Sequence, residues 1–471
     1  MARHGRKLRG QERKARKVDN RRRRQVKEQS RRRRKNTRKT TTSYRHGLQD
    51  AMAKWFPGQF FSHWPVLAGS KWSPLRLFWM AILMVWSAEQ TLQTRFDATR
   101  AVLRSLFPKW PLGKSYTGWY DAQLKWITPL RPALSKRLQQ QIESMAGQHW
   151  QREGWCAFAV DGSRVECPRT EANERVLKCA GRKKTGPQLF VTTLLHMGTG
   201  LPWDFRIGPG TDSERRHLED MLPSLPRQAL VVADAGFTGY DLFRRLLAAE
   251  QNFLIRVGAN VHLLKKLGYF EHEGADTVYL WPTKNGHEPP VTLRLIERRR
   301  GKKKMYLVTN VLDKKALTDK NAGVLYEMRW GVEVFYRSLK QTLQKRRMLS
   351  HSPEAAKCEL TWTMYGLWLL GLMSVSKILA RRADPLRWSA AAARDRIRES
   401  LRLALQGRCD RTLLNDLGWA MKDDYVRSGV KKARDWPHKK TEKPPGKPKI
   451  QSATAEQRQE SKRLNAKRSA A

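Results

Sequence analysis

The run WCAFAVDG, from Trp155 to Gly162, decides the fold. Its apolar residues follow one another without helical spacing for the length of one strand, and Asp161 with Gly162 ends them. The run therefore reads as a buried strand that delivers a carboxylate. The pattern repeats in ALVVA at 229–233, followed by Asp234 and Gly236. Between the two lie Leu189 to Met197 and Leu201 to Ile207, joined by Gly198, Thr199 and Gly200, which predict a hairpin. Thr211 and Glu214 predict a capping box that opens a helix reaching about Leu222. A helix from about Tyr240 and a strand from Phe253 to Val257 follow. Strands alternating with helices predict an α/β fold, and ligands of such sheets collect beyond the carboxyl ends of the strands. Taken singly, either aspartate is as readily a turn former or helix cap; taken together, they could share a metal.

A second stretch supplies what would face them, LYEMRWGVEVFYRSLKQTL from Leu325 to Leu343. Wound at about 100° per residue, Tyr326, Arg329, Glu333 and Lys340 fall within a sector of about 60°. Met328, Val332, Phe335, Leu339 and Leu343 form an adjacent apolar stripe able to pack on a sheet. The bland alternative is that Glu333 merely pairs with Arg329 and Arg337 four residues away, each pair contributing a few tenths of a kcal/mol.

Asp161 in VDGSRVECPRT, Asp234 in VVADAGFTGYDLF, and Tyr326, Arg329, Glu333 and Lys340 together resemble the three motifs of DDE insertion-sequence transposases. The subgroup resembled is the one with the YREK signature: Tyr, two residues, Arg, three, Glu, six, Lys, every interval of which recurs here. The resemblance covers roughly residues 151–380 and implies an RNase H-like core with a β insertion between the second aspartate and the glutamate. It implies that Asp161, Asp234 and Glu333 are catalytic and hold two Mg2+ ions, for which Mn2+ can substitute, about 3.5 to 4 Å apart. It implies that Tyr326, Arg329 and Lys340 hold phosphates near a transposon end. The partners implied are double-stranded DNA with terminal inverted repeats and a second copy of the chain, forming a homodimer on DNA.

The rest of the chain agrees with a polyanionic partner. Among 471 residues, 93 Lys and Arg oppose 43 Asp and Glu, a formal charge of +50. Residues 1–46 read as a disordered Arg-rich tail and 431–471 as a disordered basic tail that includes KPPGKPK, because neither has the apolar residues to fold alone. Residues 47–150 read as a helical domain, a candidate for reading DNA ends. Residues 151–385 read as the RNase H-like catalytic domain with the β insertion at 258–303, and 386–430 as a C-terminal helical region. Within the insertion, RRRGKKK (Arg298, Arg299, Arg300, Gly301, Lys302, Lys303, Lys304) is expected at a hairpin tip, where its cations could meet a DNA backbone or simply be solvated. Trp330 and Trp203 could stack an unpaired base, although tryptophan in a helix or strand is more often core.

Several classes are set aside. The 17 uncharged residues from Leu360 to Ser376 are short for a bilayer and contain Thr and Ser, so a buried helix is expected and no membrane partner. The opening MARHGRKLRG lacks an apolar stretch, so the expected location is cytoplasmic and nucleoid-associated. The 5 cysteines have no CxxC spacing and read as core thiols. The alternative function is a non-catalytic basic DNA-binding protein derived from a transposase, and a cation-rich RNA binder stands behind it.

Overall fold

The structure, a computed structural model, describes residues 46–66, 70–180, 186–282, 288–300, 303–423 and 445–469. The Arg-rich run expected to be a disordered tail lies outside the described residues up to 45, as do Gly301, Lys302 and the side chains of Arg300 and Lys303.

The chain begins with α1 (Gly47–Trp55), α2 (Pro74–Trp86), α3 (Leu92–Leu106) and α4 (Tyr116–Ala146). Ser73 caps α2 by accepting from the Arg76 N–H, and Pro74 occupies the first turn, where a missing N–H costs nothing. α4 continues without interruption through Pro129 and Pro132. Burial of Leu130, Leu134, Leu138 and Ile142 along one face outweighs the backbone bonds that the prolines remove.

Next come β1 (Ala157–Glu166), α5 (Glu171–Leu177), β2 (Gln188–His196), β3 (Leu201–Pro209), α6 (Glu214–Met221), β4 (Leu230–Ala233), α7 (Tyr240–Ala248) and β5 (Asn252–Val257). The chain continues through β6 (His262–Lys265), β7 (Thr277–Leu280), β8 (Val291–Arg300) and β9 (Lys303–Thr309). One sheet holds them in the order β6-β7-β8-β9-β5-β4-β1-β2-β3. β2 lies antiparallel between β1 and β3, as the predicted hairpin requires, while β1, β4 and β5 run parallel. This is a mixed α/β architecture with a large central sheet.

β1 does not end at Asp161, as the sequence suggests, but runs on to Glu166. Its antiparallel neighbour β2 pairs with it over Phe158 to Glu166, whereas the parallel neighbour β4 pairs only with Ala157 to Ala159. Asp161 therefore stands where one neighbour has stopped and the other continues.

The helical segment after the sheet comprises α8 (Asp319–Met328), α9 (Trp330–Arg337), a π-helical turn at Ser338–Thr342, α10 (Pro353–Ala380), α11 (Ala390–Leu405) and α12 (Leu413–Leu417). By length and apolarity α10 could cross a bilayer, yet it is largely buried within the protein. Trp86 Nε1 donates to Gly366 O at 3.0 Å, and a Cβ at Gly366 would lie 2.7 Å from Val85 Cγ1, so only glycine lets α2 and α10 approach this closely.

The last part of the presumed C-terminal tail is ordered, which corrects that expectation for residues 445–469. Lys449–Ser452 forms β10, which extends the sheet by pairing parallel to β6, and Ala455–Ser469 forms α13. The sequence signal is weak because the apolar anchors are few: Ile450, Ala453 and Leu464 among lysines and arginines.

Candidate active site

Extending the parallel register of Ala159 against Val232 by two residues sets Asp161 beside Asp234. Adjacent strands lie about 4.8 Å apart, so the fold itself brings the two carboxylates to one place. Each is steadied by a backbone N–H: Asp161 Oδ1 accepts from Gly162 N and Asp234 Oδ1 from Gly236 N, both at 2.8 Å.

The third carboxylate arrives on α9. Val332, Phe335 and Tyr336 are buried, which anchors the helix on the sheet, and the Tyr336 hydroxyl lies 2.8 Å from Asp161 O and 3.0 Å from Val191 O and Thr193 Oγ1. Glu333 then faces the aspartates. Arg329 lies between them, with Nη2 donating to Glu333 Oε1 at 3.0 Å and Nη1 4.0 Å from Asp161 Oδ2. The bland reading of an Arg329–Glu333 pair is thus present, but as part of a larger cluster.

The motif helix is not one straight rod. It breaks at Arg329 between α8 and α9 and loosens into the π-helical turn that carries Lys340. As a result its four polar residues divide. Glu333 and Lys340 line a cleft of about 740 Å³ with Asp161, Arg164, Arg337 and Arg346. Tyr326 and Arg329 line a neighbouring cleft of about 1000 Å³ with Arg298, Arg299, Lys304 and Trp330. Tyr326 is only 8% exposed, so of the four expected polar residues it is the one turned most into the core.

The basic run extends its hairpin further than expected: Arg299 faces Lys304 across β8 and β9, so these residues are strand residues and not a loop tip. Lys304 Nζ is 2.8 Å and Arg299 Nε 3.7 Å from Glu297 Oε1, which partly neutralises both. Trp330 is 54% exposed, against the expectation of a core residue, whereas Trp203 is buried and donates from Nε1 to Ser224 O at 2.8 Å. Of the cysteines, Cys167 and Cys358 are buried as expected, while Cys409 is exposed.

Other residues at or beside these clefts were not singled out in the sequence as site residues. Arg164 and Arg346 line the smaller cleft. Arg256 on β5 and Lys447, beside Gly446 in the KPPGKPK segment, line the larger cleft; only the sheet topology, not local pattern, brings them there. Glu214, beside the aspartates, is another. Ser213, not Thr211, is the N-cap of α6, so the capping box does not form and Glu214 begins the helix. Its carboxylate turns toward the aspartates.

The electrostatics follow from this crowding. Burial pushes the Asp161 carboxyl up to about 6, with Asp234 and Glu333 adding to it and Gly162 N–H and Arg329 opposing. Burial, then the charges of Asp234 and Asp161, pushes Glu214 up to about 7. Burial lowers Lys340, and Arg346 adds to the effect. Arg329 is also buried, which disfavours its charge, yet Tyr326, Asp161, Glu333 and Asp234 raise it on balance.

Among the described residues, no three acids, histidines or cysteines are drawn together as a ready-made metal site. The donor chemistry nevertheless fits a hard divalent cation: the ligands offered are all carboxylate oxygens, and burial first, then neighbouring carboxylates, holds Asp161 and Glu214 toward the protonated form.

Carboxylates abreast where the pairing of two parallel strands stops, faced by a helix and lined by arginine and lysine, define a centre for chemistry on a polyanion. Residues 153–369 match the family of transposase DDE domains. A DDE domain of this kind implies the use of divalent metal. The transposase InsG of insertion sequence element IS4 from Escherichia coli (strain K12) is 27% identical over 223 residues, covering 44% of this chain and 50% of the relative. A putative transposase of element IS4SA from Synechocystis sp. (strain ATCC 27184 / PCC 6803 / Kazusa) is 21% identical over 195 residues, 40% of this chain and 54% of its own. The chain thus matches about half the length of these relatives. Among solved structures, a piggyBac transposase synaptic complex with hairpin DNA aligns over 82% of this chain and 85% of that one, at 12% identity and a TM-score of 0.39.

Proposed function

We propose that the protein is a DNA transposase that cuts and joins transposon-end DNA, with Asp161, Asp234 and Glu333 as its catalytic carboxylates in an RNase H-like core. The observation that carries this reading is the register of β1 and β4, which sets Asp161 beside Asp234 under α9 and Glu333. The strand order β3-β2-β1-β4-β5 and the β6 to β9 insertion before α9 support it.

Phosphodiesters resist attack because nucleophile and phosphoryl oxygens are both negative. Two Mg2+ ions bound by the carboxylates would activate the attacking hydroxyl and stabilise the leaving oxygen. The chain's own residues do the rest. Asp161 and Asp234, fixed by strand backbone and by the Gly162 and Gly236 N–H groups, hold their oxygens on one side of the cleft. Glu333 closes it from the other. Arg329 neutralises Asp161 and Glu333 in this structure, and would be free for a phosphate where bound cations took over that role. Lys340, Arg164, Arg337 and Arg346 line the wall along which a strand's phosphates would lie. The larger cleft adds Arg298, Arg299, Lys304, Arg256 and Lys447 around exposed Trp330, a combination suited to phosphates with one unpaired base stacked between them. Arg300, Lys302 and Lys303 complete the basic run that would follow the backbone. The YREK subgroup, the homodimer on paired ends and a nucleoid location belong to the same reading.

Separate Asp161→Ala, Asp234→Ala and Glu333→Ala variants test it on a labelled terminal repeat with pre-cut and uncut ends. Each is expected to retain end binding and lose both nicking and joining by at least about a thousandfold. Nicking retained by any one removes that residue from the triad.

A further inference from the structure

Glu214 has no role among the three motif carboxylates, yet its carboxylate lies beside Asp161 and Asp234. Two glycines, one beside each aspartate, border it. A Cβ at Gly162, the residue after Asp161, would meet the Phe190 ring at 2.4 Å and lie 3.1 Å from Glu214 Oε2. A Cβ at Gly236, two residues after Asp234, would lie 2.6 Å from Glu214 Oε1 and 3.0 Å from Asp234 Oδ1. One carboxylate thus spans the backbones of both catalytic strands, its oxygens directed one to each.

Its placement is fixed from behind. One turn along α6, His217 is buried, with Nδ1 2.9 Å from Thr192 Oγ1 on β2 and Nε2 3.0 Å from Asp212 Oδ2. That chain ties the start of α6 to the strand paired with β1. Other residues of this helix end have partners: Arg215 Nε donates to Gly236 O at 2.7 Å, and Glu219 pairs with Arg245. Glu214 itself makes no hydrogen bond or ion pair among the described residues. Arg164 and Arg215 reach it only as nearby charges. A half-buried carboxylate held next to two others, with no cation of its own chain bonded to it, is relieved either by a proton or by a cation from outside, and the divalent metal that a DDE domain implies would supply the second.

We infer that Glu214 is a fourth carboxylate of the catalytic centre, which helps Asp161 and Asp234 hold divalent metal. This inference rests on the transposase reading of the same site. In the family signature only three acids carry the chemistry; here a helix between β3 and β4 brings a fourth to them.

Mn2+ binding to the full-length protein, followed by the electron paramagnetic resonance signal of the free aquo ion, tests this without any cleavage reaction. Wild type, Asp234→Asn, Glu214→Gln and Glu214→Asp are compared, with circular dichroism and metal-free binding of terminal DNA as controls for the fold. Glu214→Gln is expected to bind Mn2+ at least about tenfold more weakly, with fold and metal-free DNA binding unchanged, and Glu214→Asp to recover part of the loss. If Asp234→Asn loses Mn2+ but Glu214→Gln binds it like wild type, Glu214 is not part of the centre and the three-acid site stands. If neither substitution changes Mn2+ binding, the carboxylate centre itself is misassigned. Should Glu214→Gln fail to fold, Glu214→Asp is read against wild type in the same way: weaker binding supports the assignment, and equal binding overturns it.

Discussion

Asp161 shows how much one residue's surroundings decide. It is mid-strand, half surrounded by apolar chain and next to two more acids, so its carboxyl is held up at about 6. A carboxyl raised in the folded state stabilises the fold below its unfolded value, and that contribution is lost as pH rises through the folded value. Glu214, raised to about 7, has the same sign. The metal-free protein is therefore expected to melt at progressively lower temperature between about pH 4 and pH 7, and Mg2+ at pH 8 to restore part of the loss. Differential scanning calorimetry with and without chelator checks this; an Asp161→Asn variant should show a flatter profile. Asp161 and Asp234 were legible in the sequence because each follows an unbroken apolar run, and Glu333 because its intervals to Tyr326, Arg329 and Lys340 are fixed. Glu214 was not, since a glutamate three residues after a threonine at a helix start has an ordinary local explanation. The exposure of Trp330 was equally hidden, because helical angle alone does not say what packs on that side.

At the scale of elements, the regular helical period that would gather Tyr326, Arg329, Glu333 and Lys340 on one face holds over α9 alone. The break at Arg329 and the π-helical turn respond to tertiary demands that no local period contains: Tyr326 turns into the core while Lys340 turns to the cleft. What fixes the end of this segment is a buried ion pair. Lys345 Nζ donates to Glu359 Oε1 at 2.7 Å, and Glu359 Oε2 accepts from Leu349 N, Ser350 N and Ser350 Oγ at 2.9 to 3.0 Å. The pair joins the loop after the motif to α10, and its Glu359 carboxyl is lowered despite burial because Lys345 and these donors favour the charge. Glu359→Ala would leave Lys345 buried alone, and is expected to cost about 3–5 kcal/mol in urea unfolding. A cost below about 1 kcal/mol would mean that the loop has another anchor. Tyr336→Phe tests the other end. Removing the hydroxyl beside Asp161 O is expected to lower stability by about 1–3 kcal/mol and to slow cleavage with little change in end binding, read by parallel unfolding and nicking assays.

For the whole molecule, the charge excess indicated a polyanionic partner before any fold was in view, and the sheet concentrates part of that charge at one place. Lys340, Arg346 and Arg164 line the cleft that holds Asp161 and Glu333, and Arg298, Arg256 and Lys447 the cleft that holds Tyr326 and Arg329. Strands from distant parts of the chain assemble this arrangement. β5 contributes Arg256, β8 Arg298, and the segment before β10 Lys447, whose docking through β6 had no signature in a lysine- and proline-rich sequence. Single Lys340→Ala and Lys447→Ala substitutions are each expected to weaken end binding and reduce the slope of log affinity against log salt by about 1, as measured by fluorescence anisotropy between low and moderate salt. An unchanged slope would place that lysine off the DNA.

The central claim is that the Asp161, Asp234 and Glu333 cluster cuts DNA with divalent metal. It is tested most directly by nicking of a DNA fragment that carries the flanking ends of the protein's own gene, with Mg2+ or chelator, comparing the intact protein with Asp234→Ala. The account predicts cleavage at the element boundary by the intact protein in Mg2+, none in chelator, and none by the variant although it still binds the ends. Equal cleavage by both proteins, or end binding without cleavage by the intact protein in Mg2+ and Mn2+ alike, would contradict it.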